Sequence, residues 1–260
     1  MVLAAVFGAV IGLSVGLLGA GGSILAVPAL VFGVGQPLET AIPSSLAVVA
    51  LSALAGLAPR DRRRQARWPI ALVFGLVGIP GAFAGTELNR IFPQQHLMLA
   101  FAALMAVVAV RMFFGGDEST GACLTPRGEV NWQVCLPRTA VAGAGVGVLT
   151  GLFGVGGGFV VVPALILLLG LDAGQAVATS LVVVFFNSVG GFLAHARTAT
   201  DLDYPVLVTF AAAAIAVSLA GGRISSRLPA STVRRWFAGV VLLVAAGVAT
   251  AAVLAPSSLG

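Results

Sequence analysis

Leu18-Gly19-Ala20-Gly21-Gly22-Ser23-Ile24-Leu25-Ala26-Val27-Pro28-Ala29-Leu30 nearly repeats later as Phe153-Gly154-Val155-Gly156-Gly157-Gly158-Phe159-Val160-Val161-Val162-Pro163-Ala164-Leu165. Pro28 and Pro163 stand 135 positions apart, and that one offset fits most of each half. Glycine reaches positive φ and lets backbone approach a ligand closely, so each glycine cluster breaks a helix. A broken helix, duplicated inside a very apolar chain, predicts a membrane carrier whose two halves build one site.

The composition sets the class. Of 260 residues, 59% are hydrophobic and only 9% charged, against about a quarter charged in ordinary domains. Mean hydropathy is +1.08, and long uncharged runs recur down the chain, so the apolar surplus is transmembrane. Met1-Val2-Leu3-Ala4 carries no basic n-region and is expected to open the first membrane segment. The net charge of +5 does not predict nucleic-acid binding, because most arginines sit in short loops between apolar runs, where they act as topology signals. Cys123 and Cys135 flank a polar stretch with no histidine near them in sequence, which excludes a simple metal site. They read as two unpaired thiols, or as a disulfide if this loop faces an oxidising compartment.

Eight long apolar segments are predicted as helices: residues 2–18, 41–58, 69–85 and 97–114, then 139–153, 176–194, 205–222 and 233–254. Each half also holds a piece too short to cross, residues 24–34 and 159–171. At the 135 offset Ser44-Ser45-Leu46 lies over Thr179-Ser180-Leu181, Gly56 over Gly191 and Arg62 over Arg197. One position of slippage later, Pro69 lies over Pro205 and Ala84-Gly85 over Ala220-Gly221. The expected fold is therefore all-α and polytopic, built from two pseudo-symmetric four-segment repeats, each with a glycine-broken first segment. Residues 1–114 form the first membrane repeat, 115–138 a polar linker and 139–260 the second repeat.

Loop charge bears on how the halves insert. Residues 60–67 carry five Arg and one Asp, and residues 223–235 carry four Arg and no acid, so each loop is +4. The positive-inside rule wants both in the cytoplasm. They occupy different places in the repeat, so both can be inside only if the halves insert upside down relative to each other. If each broken segment is a helical hairpin that enters and returns, the repeats invert, as in many carriers. If it is a discontinuous helix that crosses once, the repeats are parallel and the second arginine loop faces outside. The charge rule favours inversion.

The chemistry expected at the breaks is anion binding. Gly19, Gly21 and Gly22, with Gly154, Gly156, Gly157 and Gly158, can leave backbone N–H groups free while the helix restarting beyond Ser23 or at Phe159 aims its positive end at the gap, and Ser23 joins the candidate site. The bland alternative is close helix packing through small residues. Ser44, Ser45, Thr179 and Ser180 lie near helix starts, where their hydroxyls can bind an anion or cap the helix, and Pro43 suits a first turn. Asn187 and Ser188 are the most polar pair inside the sixth segment, and a lipid-facing Asn is costly, so Asn187 is expected against a neighbouring helix or the pathway. No Asp or Glu lies mid-segment, so a carboxylate proton relay lacks a carrier.

The paired Gly-rich, Val-Pro-Ala-Leu segments and the Ala178-Thr179-Ser180-Leu181 run with Phe186-Asn187-Ser188 resemble the TauE/SafE family of membrane transporters. The likeness covers essentially the whole chain and is sharper in the second half, since Ser23 replaces a glycine and Ser52-Ala53 replaces Asn-Ser in the first. The resemblance implies a permease of a bacterial-type cytoplasmic (inner) membrane for sulfite, sulfoacetate or a related sulfur-containing anion, often acting outward. No cofactor and no metal are expected. The partners expected are a small anion, the lipid bilayer and a second copy of the chain, with no nucleic acid. An anion channel is the nearest alternative. An intramembrane enzyme is a more distant one, because the serines recur with the repeat and His195 does not.

Overall fold

The computed structural model describes residues 2–19, 26, 29–36, 38–89, 91–92, 94–114, 132–153, 158–195, 204–225 and 229–254. In the first half α1 is Val2–Leu18, followed by a π-helical segment Ala29–Val34, then α2 Leu38–Gly56, α3 Arg60–Gln65, α4 Trp68–Asn89 and α5 Gln94–Phe114. The second half gives α6 Trp132–Phe153, α7 Gly158–Leu167, α8 Ala173–His195, α9 Tyr204–Ser225 and α10 Ala230–Leu254. All eight long segments expected from the sequence are helices. The largest boundary shift is at α6, which starts inside the stretch read as linker, and Pro43 lies within α2 rather than in its first turn. A proline is tolerated there because neighbouring helices re-satisfy the freed backbone groups.

Among the described residues, length and apolarity make four helical stretches sufficient to cross a bilayer: Trp68–Asn89, Cys135–Leu152, Ala173–Leu193 and Leu207–Ser225. The first has 22 residues, about 33 Å at 1.5 Å per residue, against a hydrocarbon core of about 30 Å. Large apolar side chains cover the outside, among them Phe83, Phe114, Val141 and Leu243, each more than 70% exposed. Water would not tolerate such a surface, whereas lipid does. The segment of α8 is the most buried of the four candidate spans.

Lipid removes most of the hydrophobic drive between helices, so close van der Waals packing at small residues must hold the bundle together. Two glycine ladders do this. Gly8, Gly12 and Gly16 of α1 lie against the backbone of Phe210, Ala214 and Ser218 of α9. Gly143, Gly147 and Gly151 of α6 lie against the backbone of Phe74, Gly78 and Ala82 of α4 in the same register. A methyl group on Gly8 would sit 2.5 Å from the Phe210 carbonyl oxygen, and one on Gly143 2.8 Å from that of Phe74. Close packing through small residues is therefore seen at glycines along α1 and α6. The remaining large contacts pair α2 with both α8 and α9, and α5 with α10.

The direction of each helix follows from these contacts. Ascending numbers along α1 meet ascending numbers along α9, and likewise for α6 and α4, so both pairs are parallel. Gly56 near the end of α2 approaches Leu181, while Gly191 near the end of α8 approaches Leu46, so α2 and α8 are antiparallel. The ends of α1 and α2 lie together, with Gly56 beside Gly16. Both arginine loops also meet at that end: Arg62 bonds to the Gly16 carbonyl, and Ser225 donates to that of Leu17. Cys135, in the first turns of α6, is disulfide-bonded, which corrects the unpaired-thiol reading.

Candidate functional site

The break after α1 is built locally by Gly19, whose φ of +84° ends the helix. Its N–H still donates to Val15 O at 2.8 Å, closing the last turn. The reason for a residue without a side chain is visible across the interface. A methyl group at Gly19 would lie 2.6 Å from Ser180 Oγ and 2.8 Å from the Val177 carbonyl oxygen, both on α8. Gly19, at the end of α1, therefore lies against Ser180, a hydroxyl that the sequence singled out.

The π-helical segment and α7 end alike. Gly35, at φ +81°, donates to Val31 O, and Gln36 N–H reaches back to Leu30 O. Gly170, at φ +67°, donates to Ile166 O, and Leu171 N–H reaches Leu165 O. Both are left-handed caps that satisfy terminal carbonyls.

The four hydroxyl residues differ in what they can offer. Ser45 Oγ donates to Ile42 O at 2.7 Å and Ser180 Oγ donates to Val177 O at 2.8 Å, so both protons are engaged. These serines lie in the second turns of α2 and α8, which corrects their reading as helix-start caps. Thr179 Oγ1 accepts the backbone N–H of Arg67 at 3.0 Å and keeps its own proton available. Ser44 Oγ, at the corresponding place in the first half, is buried and has no partner among the described residues. Ser44 and Thr179 are thus the hydroxyls able to donate to an anion, and Ser45 and Ser180 offer lone pairs.

Of the other predicted residues, Gly158 is buried at the start of α7 and Ser188 is buried on α8. Asn187 is exposed while Ser188, about 100° further round the helix, is buried. Gly21, Gly22, Ser23, Gly156 and Gly157 lie outside the described residues. Among the described residues no group of three His, Cys, Asp or Glu side chains gathers to hold a metal.

Sequence reasoning missed Arg62. Counted as a loop charge, it is instead buried to 1% exposure on α3. Its Nη2 donates to Gly16 O at 3.3 Å, and its Nη1 has no partner. Burial pushes the guanidinium down to about 10, still well above neutral pH, so the group remains a cation. Neighbouring Arg60, Arg63 and Arg64 are exposed, as a loop charge should be. The one signal available was Arg62 lying over Arg197 in the repeat.

A chain of direct contacts joins these groups. Arg62 holds Gly16, one turn before Gly19; Gly19 touches Ser180; Thr179, beside it, caps Arg67, just past α3. Gln65 lies against Gly174 at the start of α8, which closes the circuit at the arginine-rich end.

The family profile described as Sulfite exporter TauE/SafE matches residues 4–248. The chain belongs to the TauE/SafE family. A Xylella fastidiosa relative, a "Probable membrane transporter protein", is 35% identical over 246 residues, covering 92% of this chain and 90% of its own. Bacillus subtilis YdhB, with the same description, is 26% identical over 227 residues, covering 84% of this chain and 88% of its own. A Methanocaldococcus jannaschii relative is 23% identical over 202 residues, covering 75% and 72%. No solved structure matches the chain. The TauE/SafE assignment makes this protein a membrane transporter, in keeping with its lipid-compatible surface.

Proposed function

We propose that this TauE/SafE protein carries a small sulfur-containing anion, such as sulfite or an organosulfonate like sulfoacetate, outward across the cytoplasmic membrane. The observation that carries the reading is the meeting of Gly19 with Ser180, which joins the break of one half to the polar helix of the other. The substrate site would comprise Gly21, Gly22, Ser23, Ser44, Ser45, Gly156, Gly157, Gly158, Thr179 and Ser180, with Ser188 farther along α8.

In this reading the halves are inverted repeats. Three features support it: antiparallel α2 and α8, the exchange in which α1 pairs with α9 while α6 pairs with α4, and matched caps at Gly35 and Gly170. Because the ends of α1 and α2 lie together, the chain between them runs back, the hairpin that inversion requires. Both arginine loops then face the cytoplasm. The disulfide at Cys135 lies at the same end and pulls the other way, since the cytosol reduces such bonds. Two loops of +4 each outweigh it. With a negative interior, expelling one negative charge gains about 2.3 kcal/mol per 100 mV, so export needs no proton relay.

A thermal-shift panel of sulfite, sulfate, thiosulfate, sulfoacetate and carboxylates on the purified protein tests this reading. Stabilisation by a sulfur anion is expected, and Ser180→Ala should weaken it. A panel without a sulfur-anion hit overturns the substrate class, and a hit unchanged in Ser180→Ala overturns the site. Efflux from proteoliposomes that ignored an imposed voltage would remove the voltage-driven step.

A further inference from the structure

We propose that Arg62 is the cationic contact for the carried anion, presenting its free Nη1 edge beside the Gly19–Ser180 junction. The proposal rests on the carrier reading above and adds to it the residue that meets the charge.

The argument begins with cost. An ion taken out of water loses several kcal/mol of solvation even after relaxation, and pairing must offset that. Arg62 is 1% exposed, yet its one hydrogen bond is to a neutral carbonyl at 3.3 Å. Among the described residues no carboxylate pairs with it; Asp61, its chain neighbour, is exposed and points to solvent. As a mere cap for α1 the guanidinium would be an expensive choice, because any neutral donor can hold the Gly16 carbonyl. A buried guanidinium with a free nitrogen is instead what an oxyanion needs, as its planar fork matches oxygen pairs.

Position supports the same conclusion. The carbonyl that fixes Nη2 belongs to the last turn of α1, immediately before the break. Thr179, with its proton available, and Ser180 reach the same end from α8, through Arg67 and Gly19. Arg67 brings a second buried nitrogen there, since its Nε has no partner. The C-terminal carbonyls of α1 would repel an anion, and Arg62 covers one of them. Nη1 is shut off from water here, and α3 is held by the Arg62 bond to Gly16 and the Arg63 Nε bond to Leu57 O, the two contacts an arriving anion would meet first.

The test is saturable sulfite efflux from proteoliposomes holding the full chain, compared across wild type, Arg62→Lys and Arg62→Gln. Losing a charge-assisted hydrogen bond should raise KM about ten-fold or more in Arg62→Gln. Arg62→Lys keeps the charge without the fork and should fall between. A monodisperse Arg62→Gln protein with wild-type KM overturns this proposal and leaves the carrier reading intact. A wild type that moves none of sulfite, thiosulfate and sulfoacetate defeats the carrier reading, and this proposal with it. Should both variants aggregate, hydrogen exchange on the wild type decides: 10 mM sodium sulfite, as a probe of about millimolar affinity, should slow exchange in residues 60–67, and unchanged exchange there overturns the role of Arg62.

Discussion

Replacing Gly19 by alanine tests the junction between the halves, and Gly35→Ala supplies its control. Both glycines hold nearly the same backbone, φ +84° and +81°. Putting a Cβ on a left-handed residue costs about 1–2 kcal/mol, and that term is common to both variants, as is the entropy alanine removes from the unfolded chain. Their surroundings differ. The new methyl at Gly35 meets nothing within 4 Å, whereas at Gly19 it lies 2.6 Å from Ser180 Oγ and 2.8 Å from Val177 O. Serine can rotate, at the loss of its bond to Val177 O, but a carbonyl inside α8 cannot move without the helix. Overpacking of this kind costs about 1–3 kcal/mol. Gly19→Ala should therefore melt several degrees below Gly35→Ala, at about 2–4 °C per kcal/mol for a chain of this size. Scanning fluorimetry of the purified proteins gives the comparison. Adding Ser180→Ala should restore only part of the loss, because the Val177 carbonyl remains. If Gly19→Ala melts with or above Gly35→Ala, α1 and α8 do not meet as described, and the two-half site loses its support.

The remaining predictions concern packing and orientation. Gly12→Leu and Gly147→Leu, which drive side chains into the backbone of Ala214 and Gly78, should each lower expression of folded protein sharply, read as the monodisperse fraction on size exclusion. Gly239→Ala on α10 meets nothing within 4 Å and should stabilise by up to about 1 kcal/mol through helix propensity, seen as a raised Tm. Arg64 is exposed on α3, so Arg64→Cys should react with an impermeant maleimide only after cells are permeabilised, with the parent protein as blank. Labelling of intact cells would reverse the proposed orientation.

The helical class and all eight long segments were legible in the sequence, because a bilayer demands some 20 apolar residues per crossing and leaves that run in plain view. The offset of 135 set Ser44-Ser45 over Thr179-Ser180 in the sequence itself. What pattern could not give was the partner of each face. Gly8, Gly12 and Gly16 recur every fourth residue, but the sequence does not say that α9 rather than α2 fills the groove they leave. Ser180 was picked out for its repeat, while its partner Gly19 comes from contact alone. Arg62 shows the limit best. Among five arginines in residues 60–67 it looks like the rest, since loop charge is counted without regard to direction. Local pattern fixes which segments enter lipid. Tertiary packing alone decided that one charge of that loop turns inward, because burial depends on what α1 and α8 bring to the far side of α3.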